Sequence, residues 1–66
     1  MKININKVKI LLANKCMSVN ELVEKTGLGR TTVSKIINGS SEPSTKTAGL
    51  IAKALNVKAE DILNDM

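Results

Sequence analysis

The chain has 66 residues and contains 10 lysine or arginine residues against six aspartate or glutamate residues, which is enough for one small domain with a basic surface. It has no histidine and one cysteine, which excludes an intrachain disulfide, a histidine-based metal site and a histidine-based catalytic set. The lone thiol, Cys16, suits a reducing cytoplasm, and no apolar run approaches the roughly 18 residues that span a bilayer.

The charge is unevenly distributed along the chain. Residues 1–58 have a net charge of +7, whereas residues 59–66 have a net charge of −3 through Glu60, Asp61 and Asp65. A basic body is the electrostatic pattern expected for a polyanionic partner, but charge alone is equally compatible with a solvated surface. Nucleic acid binding is therefore a hypothesis that the motifs must support.

Helical periodicity and helix-end patterns divide the chain into five short helices. The first is predicted from about Ile5 to Lys15, because its apolar residues recur at the spacing of one helix face. Asn4 and Asn6 are alternative caps for its start, and the sequence does not choose between them.

The second helix has the clearest start in the chain. Ser18 and Glu21 have the spacing of a capping box, with Ser18 as N-cap and Glu21 as the third helical residue. The helix ends at Gly27, a residue type that readily adopts the left-handed conformation of a helix stop. Only residues 27–29 then separate it from a third helix, which is predicted from Arg30 to about Asn38.

A polar loop at residues 40–43 leads to the last two predicted helices. Ser44 caps a fourth helix that extends to about Leu55. Gly49 inside it costs about 1 kcal/mol relative to alanine, so this glycine marks either a close approach between helices or a tolerated residue. A short fifth helix includes Ile62 and Leu63. The apolar residues on the inward faces of the first four helices are Val8, Leu11, Leu12, Val19, Leu22, Val23, Val33, Ile36, Ile37, Ala48, Ile51, Ala52 and Leu55.

The third helix presents one polar face on which every side chain has a hydrogen-bond donor and none is acidic. This face consists of Arg30, Thr31, Ser34, Lys35 and Asn38. Two short helices joined by a tight glycine turn form a helix-turn-helix, whose second helix enters a major groove about 12 Å wide. The face therefore predicts contacts with DNA, and the alternative interpretation is an ordinary solvated helix surface.

The residue types on this face fit the edges of DNA bases. Arg30 lies at the start of the helix, where base edges are usually met, and its guanidinium can donate two hydrogen bonds to one guanine. Thr31 can donate a hydrogen bond or place its methyl group against a thymine methyl. Lys35 can contact a guanine or a phosphate.

Three parts of the chain share a family pattern: residues 18–39 (SVNELVEKTGLGRTTVSKIING), Pro43-Ser44 and residues 51–57. Together they resemble the phage lambda Cro and C1 repressor family, also called the XRE family. The resemblance covers nearly the whole chain. It implies an all-α, compact five-helix fold and a single DNA-binding domain over residues 1–66, with the helix-turn-helix at residues 18–38. It implies a cytoplasmic, prokaryotic or phage transcriptional regulator, acting as a repressor, that is not an enzyme and has no cofactor.

The resemblance also implies which residues contact double-stranded DNA. Base contacts are expected from Arg30, Thr31, Ser34 and Lys35. Phosphate contacts are expected from Asn20, Thr32, Asn38, Ser40, Thr45 and Lys46, because amide groups at helix starts are natural phosphate binders.

The sequence departs from the family pattern in three respects. The family often begins the second helix with a glutamine that contacts phosphate, whereas this chain has Val19, and Asn20 is the candidate replacement. The usual alanine in the middle of that helix is Val23, so the packing must adjust. Some members pair an arginine late in the first helix with a glutamate after the recognition helix. Leu12 and Ile37 occupy these positions, and we expect an apolar contact instead.

The partners implied are an operator with inverted half-sites and a second copy of the chain bound to it as a homodimer. Ile10 and Leu50 are either part of a dimer surface or isolated exposed aliphatic residues, which are normal in proteins. An antitoxin-like module that binds a small protein partner on the same fold is the alternative function. No membrane partner is expected.

Overall fold

The computed structural model describes residues 2–63. The predicted domain limits and part of the acidic end depend on residues outside this range, namely Met1, Asp65 and Met66. The described chain forms four α-helices and one 3₁₀ turn, and the all-helical fold class is confirmed. The elements are α1 (Ile5–Asn14), α2 (Val19–Thr26), α3 (Arg30–Ile37), α4 (Thr45–Ala54) and the 3₁₀ turn at Ala59–Asp61.

Side-chain caps define where the helices begin. Asn4 Oδ1 accepts a hydrogen bond from Lys7 N at 3.1 Å, which resolves the choice between the two asparagines at the start of α1. Ser18 Oγ accepts from Glu21 N at 3.2 Å, and Glu21 Oε1 accepts from Ser18 N at 3.2 Å, so the predicted capping box of α2 is confirmed. Ser44 caps α4 with its side chain, as expected.

The helices pack around an aliphatic core. α2 lies against α3 and α4, α1 lies against α3, and α4 lies against the 3₁₀ turn. Burial of each large aliphatic side chain contributes roughly 1.5–3 kcal/mol, which matters in a domain this small. The largest fully buried side chains are Leu22, Ile36, Ile51, Leu55, Ile62, Val8 and Val33, and all of them except Ile62 were predicted to point inward. Ile3 also belongs to the core and was not predicted.

The positions that depart from the family pattern are accommodated in this core. Leu12 and Ile37 are both buried in the same cluster, as expected for aliphatic residues that replace an ion pair. Val19 and Val23 are half-buried and pack against it. Val19 therefore has no polar group with which to bind phosphate, and its side chain is partly covered by the core.

The prediction of a fifth helix at Ile62 and Leu63 is wrong. The segment makes only the 3₁₀ turn at Ala59–Asp61, and Leu63 then forms an isolated antiparallel bridge with Ile3. The backbone N–H of Asn4 donates to Ile62 O at 2.7 Å. The bridge and this hydrogen bond pair the segment with the residues before α1, and the helical turn ends at Asp61.

The turn between α2 and α3 is short because backbone and side-chain bonds close it. Gly27 has φ of +74°, a left-handed conformation that suits glycine, and its N–H donates to Val23 O at 3.0 Å. The buried Thr26 Oγ1 donates to the same carbonyl at 3.0 Å and accepts from Leu28 N at 3.2 Å. These bonds fix the direction in which α3 leaves the turn.

Gly49 is a tolerated residue in α4. A Cβ atom at this position would meet no atom within 4 Å. The interpretation that this glycine permits a close approach between helices is therefore wrong.

Candidate nucleic-acid interface

The polar face predicted on α3 lies at the surface. Arg30, Thr31 and Lys35 are exposed and Ser34 is half-buried. The opposite side of the helix is buried in the core. Because that side is anchored, these four side chains are held on the outer side of α3, as a recognition helix requires.

The residues expected to contact phosphate are also at the surface. They occupy the first turns of α2, α3 and α4 and the segment that follows α3. All six are exposed: Asn20, Thr32, Asn38, Ser40, Thr45 and Lys46.

The segment after α3 is held close to the end of that helix. Ser40 N and Ser41 N both donate to Lys35 O, at 2.8 Å and 3.2 Å. Gly39 has φ of +82°, and a Cβ atom built on it would lie 3.2 Å from Ile5 Cδ1. The chain therefore reverses at a position where both the backbone conformation and the space favour glycine.

A hydrogen bond that the sequence did not predict joins the two helices of the motif. Arg30 Nη2 donates to Asn20 Oδ1, which links the first residue of α3 to the first turn of α2. The side-chain oxygen of Asn20 is thus engaged with Arg30, and its amide nitrogen is left as a donor. The one indication in the sequence is that both residues lie in the first turns of helices that a glycine turn brings together.

The electrostatics of the helix starts favour an anion. The first turns of α3 and α4 contain no acidic residue, and Glu21 in α2 is engaged in its capping box. Gly29 gives α3 no side-chain cap, so the first amide groups of that helix remain available. Arg30 lies at this positive helix end, where the helix dipole disfavours a cation; a bound phosphate backbone would relieve the repulsion.

Metal-ligand groups, the cysteine and membrane-spanning helices were each searched for among the described residues. Within residues 2–63, no three His, Cys, Asp or Glu side chains are grouped so that they could hold a metal ion. Cys16 is exposed. None of the helices in this part of the chain is both long and apolar enough to cross a membrane.

Comparison with known proteins identifies the family. A family model described as helix-turn-helix matches residues 8–62. The chain belongs to the Cro/C1-type helix-turn-helix family of DNA-binding proteins.

Two similar proteins agree with this assignment. A protein of Methanocaldococcus jannaschii, named as an uncharacterized HTH-type transcriptional regulator, is 40% identical to this Cro/C1-type protein over 57 residues, which is 86% of either chain. The restriction-modification controller protein C.AhdI from Aeromonas hydrophila has a similar crystal structure, with a TM-score of 0.80, 23% sequence identity and 86% coverage of both chains. At this identity the second match supports the fold alone. The resemblance predicted from the sequence is confirmed, whereas the roles of individual residues stay predictions.

Proposed function

We propose that this Cro/C1-type helix-turn-helix protein is a sequence-specific transcriptional repressor that inserts α3 into the major groove of its operator. The observation that supports this most directly is the acid-free, exposed face of α3, with Arg30 tied to α2 by Asn20. A single DNA-binding domain over residues 1–66 is part of the proposal.

In this proposal the face of α3 reads base edges. A guanidinium has five N–H donors, so the bond to Asn20 leaves Arg30 enough donors for the O6 and N7 atoms of one guanine. Thr31 and Ser34 donate through their hydroxyl groups to neighbouring bases. Lys35, one turn beyond Thr31, contacts a guanine or the adjacent phosphate.

Residues around this face position the protein on the DNA backbone. Asn20 and Thr32 lie at the helix starts on one side of the motif, and Asn38 and Ser40 lie beyond the end of α3. Thr45 and Lys46 are in the first turn of α4. Contacts of this kind fix the register of a protein on the duplex and contain no sequence information directly.

We further propose that two copies bind inverted half-sites. The chain measures 28 × 23 × 18 Å, so two copies fit side by side on half-sites about 34 Å apart, which is one turn of DNA.

A repressor should lower transcription in vitro from a promoter that overlaps the operator. A rise in transcription would contradict the repressor role.

Two substitutions separate base readout from phosphate binding. Arg30→Ala should weaken binding and relax the preference at one base pair, with about 1–3 kcal/mol of discrimination lost. Lys46→Ala should weaken binding to all sequences alike and reduce the slope of log affinity against log salt by about one. Unchanged preference in the first variant, or a sequence-selective loss in the second, would contradict the assigned roles.

A further inference from the structure

The hydrogen-bonding groups on the outer face of α3 limit which DNA bases this helix can read. In the major groove, guanine offers two acceptors, and thymine offers an acceptor and a methyl group. Adenine and cytosine each offer an amino donor, which carboxylate or amide side chains normally accept. The preferred bases therefore depend on whether such an acceptor lies beside the face.

α3 has no carboxylate with which to read cytosine. None of the residues Arg30–Ile37 is acidic. Glu21, the acidic residue in the first turn of α2, accepts hydrogen bonds from both the backbone N–H and the hydroxyl group of Ser18. Its carboxylate is therefore engaged at the cap of its own helix.

The hydrogen bond to Arg30 decides what the amide group of Asn20 can read. An asparagine recognises adenine by donating to N7 and accepting from the amino group at the same time. Oδ1 of Asn20 already accepts from Arg30 Nη2, so this oxygen is directed at the guanidinium rather than at a base edge. Asn20 keeps its donors for a phosphate or a base acceptor, and the paired contact with adenine is lost to it.

Asn38, a second amide beside the face, lies at the far end of α3. It follows the last helical residue and is about 12 Å from Arg30 along the helix axis. Base edges are usually met by the residues at the start of a recognition helix. The position of Asn38 therefore suits the DNA backbone rather than an adenine.

The two long cationic side chains of the face have a spacing that fits two separate bases. Arg30 and Lys35 are both exposed, and five residues correspond to about 7.5 Å along the helix axis. Successive bases of one strand are about 3.4 Å apart along the duplex. The two cations therefore reach guanines about two base pairs apart.

The segment after α3 leaves Lys35 free to contact a base. Ser40 N and Ser41 N donate to the backbone oxygen of Lys35, so the chain turns back at the level of this residue. Ser40 is exposed there and is itself a proposed phosphate contact. The phosphates beyond the end of α3 thus have their own donors.

The hydroxyl groups of the face add a preference only through a methyl group. A hydroxyl both donates and accepts, so Thr31 and Ser34 can bond to any base. The methyl group of the exposed Thr31 can in addition contact the methyl group of a thymine. Because Thr31 follows Arg30 directly, this thymine should adjoin the guanine that Arg30 reads.

We infer that each operator half-site is read through two guanines about two base pairs apart, contacted by Arg30 and Lys35, and a thymine beside Thr31. Adenine and cytosine are specified only as the pairing partners of these bases. The inference rests on the proposed function, because it takes α3 to lie in the major groove.

Base analogues test this readout without changing the protein. In an operator recovered from a random DNA library, each guanine of the pair is replaced by deazaguanine, in which carbon replaces N7. Affinity should fall about fivefold or more at each position. Hypoxanthine is the matched control, because it keeps N7 and O6, and it should bind normally. Deoxyuridine in place of the thymine removes one methyl group and should lower affinity about threefold to fourfold.

Protein variants assign each base to its side chain. Arg30→Ala should become insensitive to deazaguanine at one position and Lys35→Ala at the other. Thr31→Ser keeps the hydroxyl group and should lose only the sensitivity to deoxyuridine. Lys46→Ala, in the first turn of α4, is the control; it should bind more weakly and keep all three sensitivities. Circular dichroism verifies that each variant is folded.

The outcomes separate the inference from the proposed function. An enriched motif without two guanines at this spacing overturns the inference alone, as does a Lys35→Ala protein that stays sensitive at both guanines. A several-fold loss of affinity when carbon replaces N7 of an adenine would also overturn it. If the unchanged chain enriches no motif at all, the proposed function itself is contradicted, and the inference with it.

Discussion

The hydrogen bond between Asn20 and Arg30 predicts that the two residues act as a unit in DNA recognition. Arg30 is exposed at the start of α3 and has several rotatable bonds, so an unbound guanidinium would lose side-chain entropy when it docks on a base. In the free protein the guanidinium of Arg30 already donates a hydrogen bond to Asn20 Oδ1. Asn20→Ala should therefore weaken DNA binding through Arg30, in addition to any phosphate contact that Asn20 makes itself.

The magnitude follows from the kind of bond. A hydrogen bond to a charged group is worth about 1.5–3 kcal/mol when it is shielded from water, and this one is exposed in the free protein. We expect part of this free energy to contribute to binding once DNA covers the hydrogen bond. The coupling free energy between Asn20 and Arg30 should then be about 1–2 kcal/mol, or a factor of about 5 to 30 in affinity. In the absence of DNA the same substitution should change the free energy of unfolding by less than about 0.5 kcal/mol.

A double-mutant cycle separates the two roles of Asn20. Affinities of the unchanged chain, Asn20→Ala, Arg30→Ala and the double variant are measured by fluorescence anisotropy on one operator at constant salt. The loss caused by Asn20→Ala in the Arg30→Ala background measures the phosphate contact alone. Additive effects of the two substitutions would refute the claim that Asn20 positions Arg30.

Three further substitutions test the fold by thermal unfolding. Gly49→Ala should stabilise the protein by about 0.5–1 kcal/mol, because the new methyl group meets no atom within 4 Å; a lower melting temperature would contradict this. Gly39→Ala should destabilise it by about 1–2 kcal/mol, since φ is +82° and Ile5 Cδ1 is 3.2 Å away; unchanged stability would show that the turn relaxes. Thr26→Val should cost about 1–3 kcal/mol, because it leaves the N–H of Leu28 without the bond that it makes to Thr26 Oγ1; a neutral effect would indicate that water replaces the hydroxyl.

The sequence predicts the first four helices well because their ends are marked locally. Ser18, Gly27 and Ser44 act within three or four residues of their own positions, so their capping bonds are independent of the rest of the chain. The inward positions are equally predictable from helical periodicity. The polar face of α3 follows from the same periodicity, because it is the side of the helix that the inward residues leave to solvent.

What the sequence does not predict depends on contacts between distant residues. Ile3 and Leu63 are 60 positions apart, and their bridge lies in the segment where the sequence predicts a fifth helix and the structure has a 3₁₀ turn. The bond between Asn20 and Arg30 depends on the crossing of α2 and α3, which periodicity does not specify.

Selection of binding sites from a random DNA library by the purified protein, at about 0.1 M salt, tests the central claim most directly. Sequence-specific binding through α3 predicts an enriched motif with inverted half-sites about one helical turn apart, and loss of one base preference per half-site in the Arg30→Ala protein. No enrichment, with binding that disappears at modest salt, would leave only non-specific attraction to phosphate and would contradict the proposed function.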